Sequence, residues 1–182
     1  ITTNSISCLE GVTSRVVARI LPTDKCLLSL LQRNGDIHTA GGLNWGQNPE
    51  NHTKPNDAYL PISVDQIRAF PNMFPPKQLA TTERGDGRVQ RHNDSIDIIW
   101  DDGKIMRGLL EGTVPVDGID YPKQISSFPV KSELGLYLRQ RLGVPEGAFV
   151  TKEDLEKYGR FDVEVKLLED GIYSFDFSKL SA

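Results

Sequence analysis

The sequence predicts a mainly β domain, a barrel or open pseudobarrel of about seven strands with two or three short helices. Three observations predict it. In the C-terminal stretch Phe161, Val163, Val165 and Leu167 alternate with Asp162, Glu164 and Lys166, and beyond Asp170-Gly171 Tyr173, Phe175 and Phe177 alternate with Ser174 and Asp176. Such period-two patterning marks half-buried antiparallel strands. Ser95–Leu110 repeats the arrangement around Asp101-Asp102-Gly103-Lys104, whose Asp-Gly pair suits a tight hairpin turn. Helical spacing is confined to short runs, and no repeat or low-complexity tract is present, so neither a helical bundle nor a doubly wound sheet fits.

Composition sets the outer bounds. The chain has 182 residues, 38% of them apolar and 25% charged, which excludes a disordered chain and fits one domain. No apolar run approaches the ~20 residues of a bilayer span, which excludes a helical membrane protein. Cys8 and Cys26 are too few for a disulfide framework and too isolated for a zinc site, and a reducing, cytoplasmic setting is expected. The chain begins at Ile1 with no basic-then-apolar signal. Residues 1–22 read as a linker remnant from a missing N-terminal domain, and 23–182 as the folded domain.

Along the chain, Cys26–Leu31 reads as a buried strand ended by Asn34-Gly35-Asp36. The Gly- and Asn-rich stretch from Gly41 through Asn56 reads as a long irregular loop, with Trp45 arguing against disorder. Ala58–Ile62 reads as a strand. Ser63 and Gln66 form a capping box for a short helix that ends at Phe70-Pro71. Residues 77–93, locally basic through Lys77, Arg84, Arg88 and Arg91, read as a flexible loop or hairpin tip around Gly85-Asp86-Gly87. Glu111–Phe128 reads as a second irregular segment. Ser132 is expected to cap a helix stopped by Gly143, and Thr151 with Asp154 to open another stopped by Gly159.

Catalytic signatures are weak. His38, His52 and His92 share no metal-ligand spacing. His52-Thr53-Lys54 imitates the start of a phospholipase-D-type nuclease motif, but the aspartate required five residues later is Tyr59. Glu164-x-Lys166 on a strand is the way many magnesium nucleases present a ligand and a lysine, yet no second carboxylate is positioned to complete a site. The chain carries no Ser/His/Asp arrangement and no phosphate-cradling glycine loop. No catalytic residue, metal or cofactor is expected.

Binding is better supplied. The first loop offers Asn44, Trp45, Gln47, Asn48, Asn51, His52 and Lys54; the second segment offers Asp117, Asp120, Tyr121, Lys123 and Gln124. Asn and Gln pair with adenine, Lys with guanine, and Asp accepts from the cytosine amino group. Arg84, Arg88 and Arg91 suit phosphates, which set register without reading sequence. The net charge of −4 is no obstacle, because charges beyond ~8 Å are screened and the local sign decides.

Three segments carry a resemblance: Gly42-Leu43-Asn44-Trp45-Gly46-Gln47 followed by Ala58-Tyr59-Leu60; Phe74-Pro75-Pro76 with Asp101-Asp102-Gly103-Lys104; and Ser132 through Val144, Tyr158-Gly159-Arg160 and Asp176-Phe177-Ser178. Over roughly residues 25–178 the chain resembles the C-terminal DNA-recognition domain of type II restriction endonucleases whose N-terminal domain is a phospholipase-D-like nuclease. That domain is similar to the B-three DNA-binding pseudobarrel of plant transcription factors, with seven strands and two arms that grip the major groove. The resemblance implies one arm in the Trp45 loop and the other in Glu111–Phe128, converging to straddle a duplex. Asn48 stands where an arginine often follows the hexamer, residues 80–93 read as an insertion, and 112–128 departs from the shorter arm of relatives. Trp45 either wedges the loop base under the barrel or meets DNA.

The resemblance and the loop composition give a sequence-specific double-stranded DNA-binding domain, the targeting part of a bacterial restriction-modification hydrolase. The isolated domain is expected to be a monomer without membrane contact, the parent enzyme a homodimer through its nuclease domain. The alternatives are a magnesium nuclease using Glu164 and Lys166, and a protein-interaction β domain.

Overall fold

The computed structural model describes residues 25–50, 52–77, 81–83, 85–87, 89–91 and 93–181, with the backbone only at 81 and 89–91. The linker reading of 1–22 therefore lies outside the described residues. The fold is mainly β, as predicted. One sheet takes seven strands, β1 (Cys26–Ser29), β2 (Leu60–Pro61), β5 (Asp94–Trp100), β6 (Ile105–Glu111), β9 (Gln124–Ser127), β10 (Asp162–Glu169) and β11 (Ile172–Asp176), in the order β1-β10-β11-β5-β6-β9-β2. It curls into a nearly closed pseudobarrel whose two edges, β1 and β2, face each other. Two small hairpins stand apart from it: β3 (Thr81–Glu83) with β4 (Val89–Arg91), and β7 (Val114–Val116) with β8 (Ile119–Tyr121).

Among the described residues three α-helices join the strands, α1 (Val64–Ala69), α2 (Ser132–Leu142) and α3 (Lys152–Tyr158). The capping box read at Ser63 and Gln66 forms, and Thr151 with Asp154, read as a helix start, forms a second one. The Ser63 side chain accepts from the Gln66 amide and the Thr151 side chain from the Asp154 amide, with Gln66 and Asp154 answering each cap backbone. Gly143 and Gly159 end α2 and α3 in the left-handed conformation at φ 72° and 90°. Gln66 Nε2 also donates to the Leu27 carbonyl at 2.5 Å, so α1 ties the β2 side of the seam to β1 and covers part of an otherwise open edge.

The core is filled from alternate positions. Ile96, Ile98 and Trp100 of β5, Met106 and Leu110 of β6, Val163 and Val165 of β10, and Tyr173 and Phe175 of β11 all point inward. Leu134 and Leu138 of α2 plug the same space. Trp100 sits between Tyr137 and Phe175 with ring centroids 4.6 and 5.2 Å away.

Several readings are corrected. Gly42–Gln47 is not irregular: it winds into a 3₁₀ helix, the short tight helix that fits where a connector must turn and pack at once. Glu111–Phe128 is not irregular either, because it holds β7, β8 and β9. Asp117 (φ 52°) and Gly118 (φ 81°) are the two central residues of its hairpin, the positive-φ pair of a two-residue turn. The buried strand read at Cys26–Leu31 is only Cys26–Ser29, a half-buried edge strand with Leu27 half exposed. The strand read at Ala58–Ile62 is only Leu60–Pro61. Ser132 does not cap α2; the Ser127 hydroxyl accepts from the Leu134 amide at 3.0 Å instead. The sheet is mainly antiparallel, with one parallel pair, β11 with β5.

Candidate nucleic-acid interface

The two excursions named from the sequence attach to neighbouring strands. β2 and β9 pair antiparallel, Leu60 opposite Ile125 and Pro61 opposite Gln124. The first excursion (residues 41–59) enters β2 at its Tyr59 end, and the hairpin β7–β8 enters β9 at its Lys123 end, where the Ile62 amide donates to the Lys123 carbonyl at 2.9 Å. The excursions therefore stand at opposite ends of one strand pair.

The base of the first excursion is packed into the domain. Asn44 is 1% exposed. Its Nδ2 donates to the carbonyls of His38 (3.0 Å) and Val150 (2.9 Å), and its Oδ1 accepts from the Val150 amide (2.8 Å). Gln47, in the amide orientation that satisfies its neighbours, donates to the Gly147 carbonyl at 3.0 Å and accepts from Arg139 (3.2 Å) and the Asn56 amide (3.1 Å). Arg139 is itself buried and donates to the carbonyls of Leu43 (2.9 Å), Gly135 (3.2 Å) and Ala148 (3.2 Å). Burial lowers its pKa from the usual arginine value.

Two glycines permit this packing: a Cβ on Gly46 would lie 2.3 Å from the Lys54 carbonyl oxygen, and one on Gly135 would lie 1.9 Å from that of Asn56. The hexamer that carries the family resemblance is thus largely a clamp. Asn44 and Gln47, named as base-reading candidates, are spent inside the protein.

Of the other first-loop candidates, His52 and Lys54 are exposed and Trp45 and Asn48 are half-buried. Asn48 accepts from the Glu50 amide at 3.1 Å in a local turn. Trp45 meets the Tyr59 ring edge-on at 5.4 Å, and the Lys131 ammonium lies 5.1 Å from its ring centre. Asn51, Arg84 and Arg88 lie outside the described residues, and Arg91 is described only by its backbone place in β4.

The second excursion is a hairpin fastened at its sides. The Lys77 amide donates to the Asp120 carbonyl at 2.8 Å, and its buried ammonium donates to the Gly112 carbonyl and Asn93 at 2.9 Å each. Lys77, part of the basic face read from residues 77–93, is therefore an anchor. Arg68 of α1 reaches Asp117 at 3.2 Å. Asp120 and Lys123 are exposed, Tyr121 is half-buried against the core, and Lys123 lays its methylenes over Gly112.

One chain of contacts joins the two bases. Lys131 pairs with Glu111 at 3.0 Å, and the other Glu111 oxygen accepts from Gln124 Nε2 at 3.2 Å. Trp45, Lys131, Glu111 and Gln124 thus run from the first excursion to the second. Glu111 sits opposite Gln124 in the β6–β9 ladder. Lys131 went unread in the sequence because it stands just before the expected helix cap Ser132, and Glu111 because it reads only as the first residue of the second irregular segment.

A comparison with protein families decides the identity. The family of the NgoFVII C-terminal B3-like DNA-binding domain matches residues 19–169. The chain belongs to this family. It is a DNA-binding domain, and the pseudobarrel agrees with that assignment. No curated protein matches the chain.

The nuclease alternative rested on Glu164 and Lys166. Glu164 pairs with Lys25 at 3.2 Å and with Lys166 at 3.3 Å. Burial would raise its pKa, but hydrogen bonds from both lysines outweigh that and hold the carboxyl below its ordinary value. Among the described residues no group of three or more His, Cys, Asp or Glu side chains comes together to hold a metal ion, and no helix is long and apolar enough to cross a membrane. Cys26 is buried, which pushes its thiol up to about 11.

Proposed function

We propose that this domain recognises a specific double-stranded DNA sequence, holding the duplex between its two excursions with the outer surface of β2, β9 and β6 as the floor. It acts as the targeting part of a restriction endonuclease. The observation that carries this reading is the Trp45–Lys131–Glu111–Gln124 chain, which fixes the bases of both excursions to one strand pair. A rigid pair of jaws is what groove recognition needs, because base contacts discriminate only when donors and acceptors are held in register.

In this reading His52 and Lys54 on one jaw and Asp120 and Lys123 on the other stand at the rim, with Trp45 and Gln124 deeper and Asn48 and Tyr121 beside them. Asp117 supports the hairpin through Arg68. Arg84, Arg88 and Arg91 remain candidates for phosphates, and Asn51 for either role. The isolated domain binds as a monomer.

The test is selection of bound duplexes from a randomised library, followed by a salt titration on the selected sequence. A consensus site is expected, together with a linear fall of log K against log salt of about −0.9 per phosphate neutralised. Recovery of random sequences, or a salt-independent affinity, rejects the proposal.

A further inference from the structure

Resting on that reading, we infer that Lys131 is a specificity-determining residue that recognises a guanine at the centre of the bound site. Lys131 stands on the turn between β9 and α2. That turn is pinned from below: the Ser127 hydroxyl lies 2.7 Å from the Val130 carbonyl and 3.1 Å from that of Lys131 while accepting the Leu134 amide. The side chain is then fixed at its tip by the Glu111 carboxylate and the Trp45 ring. A lysine side chain ordinarily loses much rotamer freedom on binding; here tip and root are already positioned.

Glu111 takes one ammonium donor and an ammonium has three. Two donors match the paired O6 and N7 acceptors that guanine shows in the major groove. The position between the two jaws also separates Lys131 from the rim cations Lys54 and Lys123, which suit phosphates. Glu111, with its side chain only 10% exposed, acts as a positioning residue, since its two oxygens are occupied by Lys131 and Gln124.

Lys104 supplies a matched control. Its side chain has the same exposure as that of Lys131, 41%, and it too pairs with a glutamate (Glu133, 3.4 Å) and lies near a ring (Tyr137, 5.8 Å). It stands at the opposite end of β6 from Glu111.

The experiment repeats the duplex selection with the wild type, Lys131→Met, Glu111→Gln and Lys104→Met, each verified as folded by thermal unfolding. Lys131→Met is expected to lose about tenfold or more on the wild-type site and to relax one G·C position while leaving the others and the salt slope unchanged. Glu111→Gln, which keeps an acceptor for Gln124, is expected to relax the same position less, and Lys104→Met to change nothing. An unaltered consensus for Lys131→Met overturns the inference. So does uniform weakening with a slope shallower by about 0.9, the mark of a phosphate contact. If the wild type selects no sequence, the DNA-recognition reading itself falls. Should Lys131→Met fail to fold, Glu111→Gln decides: a consensus unchanged at every position overturns the inference.

Discussion

Arg141 and Lys131 are both ion-paired, and their surroundings differ in one respect that separates structure from recognition. Arg141 makes a two-pronged contact with Asp101 at 3.1 and 2.8 Å, meets the hydroxyls of Tyr137 (2.7 Å) and Tyr158 (3.2 Å), and donates to the Phe177 carbonyl at 3.1 Å. Asp101 in turn accepts from the Phe177 amide at 2.9 Å. Lys131 has Glu111 and the face of Trp45. The side chains of Arg141 and Asp101 are each 18% exposed, whereas Lys131 is 41% exposed beside a Glu111 that is only 10% exposed. The first cluster engages both terminal nitrogens of the guanidinium and locks α2 to the β5–β6 turn and the C-terminal stretch. The second holds its ammonium with one carboxylate and one ring, at a side chain that is partly exposed. A cation engaged on both sides stabilises a fold, and a partly exposed one held at a fixed point is available to a ligand.

The largest expected effect tests the first side of that contrast. Arg141→Met removes a planar fork from a partly buried network and leaves the Asp101 carboxylate without its cation, with the Phe177 amide still donating to it, so a loss of about 3 kcal/mol in urea unfolding is expected. Lys131→Met should cost less, about 1 kcal/mol, because the ammonium is partly exposed although its partner Glu111 is only 10% exposed. Equal losses at the two sites would erase the distinction.

The same contrast holds between two asparagines four residues apart. Asn44→Ala leaves the amide and carbonyl of Val150 without partners in a buried place and should cost about 2 kcal/mol. Asn48→Ala should fall within about 0.5 kcal/mol and be visible, where it is visible at all, in DNA affinity. Denaturant midpoints with duplex titrations separate the two.

What was legible in the sequence follows from the range of the forces involved. The closing hairpin, the helix starts at Ser63 and Thr151 and the glycine stops are set within a few residues, and each formed where the pattern placed it. The pseudobarrel followed because alternating strands separated by short helices leave few other ways to bury one face. The fates of Asn44 and Gln47 were not legible. Their partners, Val150 and Gly147, lie about a hundred residues along the chain, and an asparagine in a polar loop looks the same whether it clamps or reads. Gly46 and Gly135 carried a partial signal, since a glycine away from a turn asks what approaches it. Lys131 and Glu111 carried none, because their meaning arises only when the strand end and the helix start meet.

Acid sharpens the comparison further. Burial would raise the Asp101 pKa, but the hydrogen bond from Arg141 and the Phe177 amide outweigh it, and the folded value lies below the ordinary one. A depressed folded pKa contributes stability above the unfolded value of about 3.9, and that stability is lost as pH falls through the folded pKa. The stability difference between the wild type and Asp101→Asn should therefore be full at pH 7 and shrink below about pH 4. Unfolding curves at pH 7, 4 and 3 measure it, and a difference constant across that range would mean that the pairing with Arg141 contributes nothing electrostatic.

The smallest expected effect concerns a cation that is neither buried nor positioned. Lys123 is exposed, and its methylenes rest on Gly112 while its head meets solvent at the rim of the second excursion. A flexible ammonium there suits a phosphate better than a base edge, because a point charge needs no register. Lys123→Ala should thus weaken selected and random duplexes by the same few-fold factor and make the salt slope shallower by about 0.9, while Lys131→Met changes the consensus at an unchanged slope. If Lys123→Ala instead relaxes one base-pair position, the rim and the floor have exchanged roles, and the degree to which a cation is held would no longer tell what it contacts.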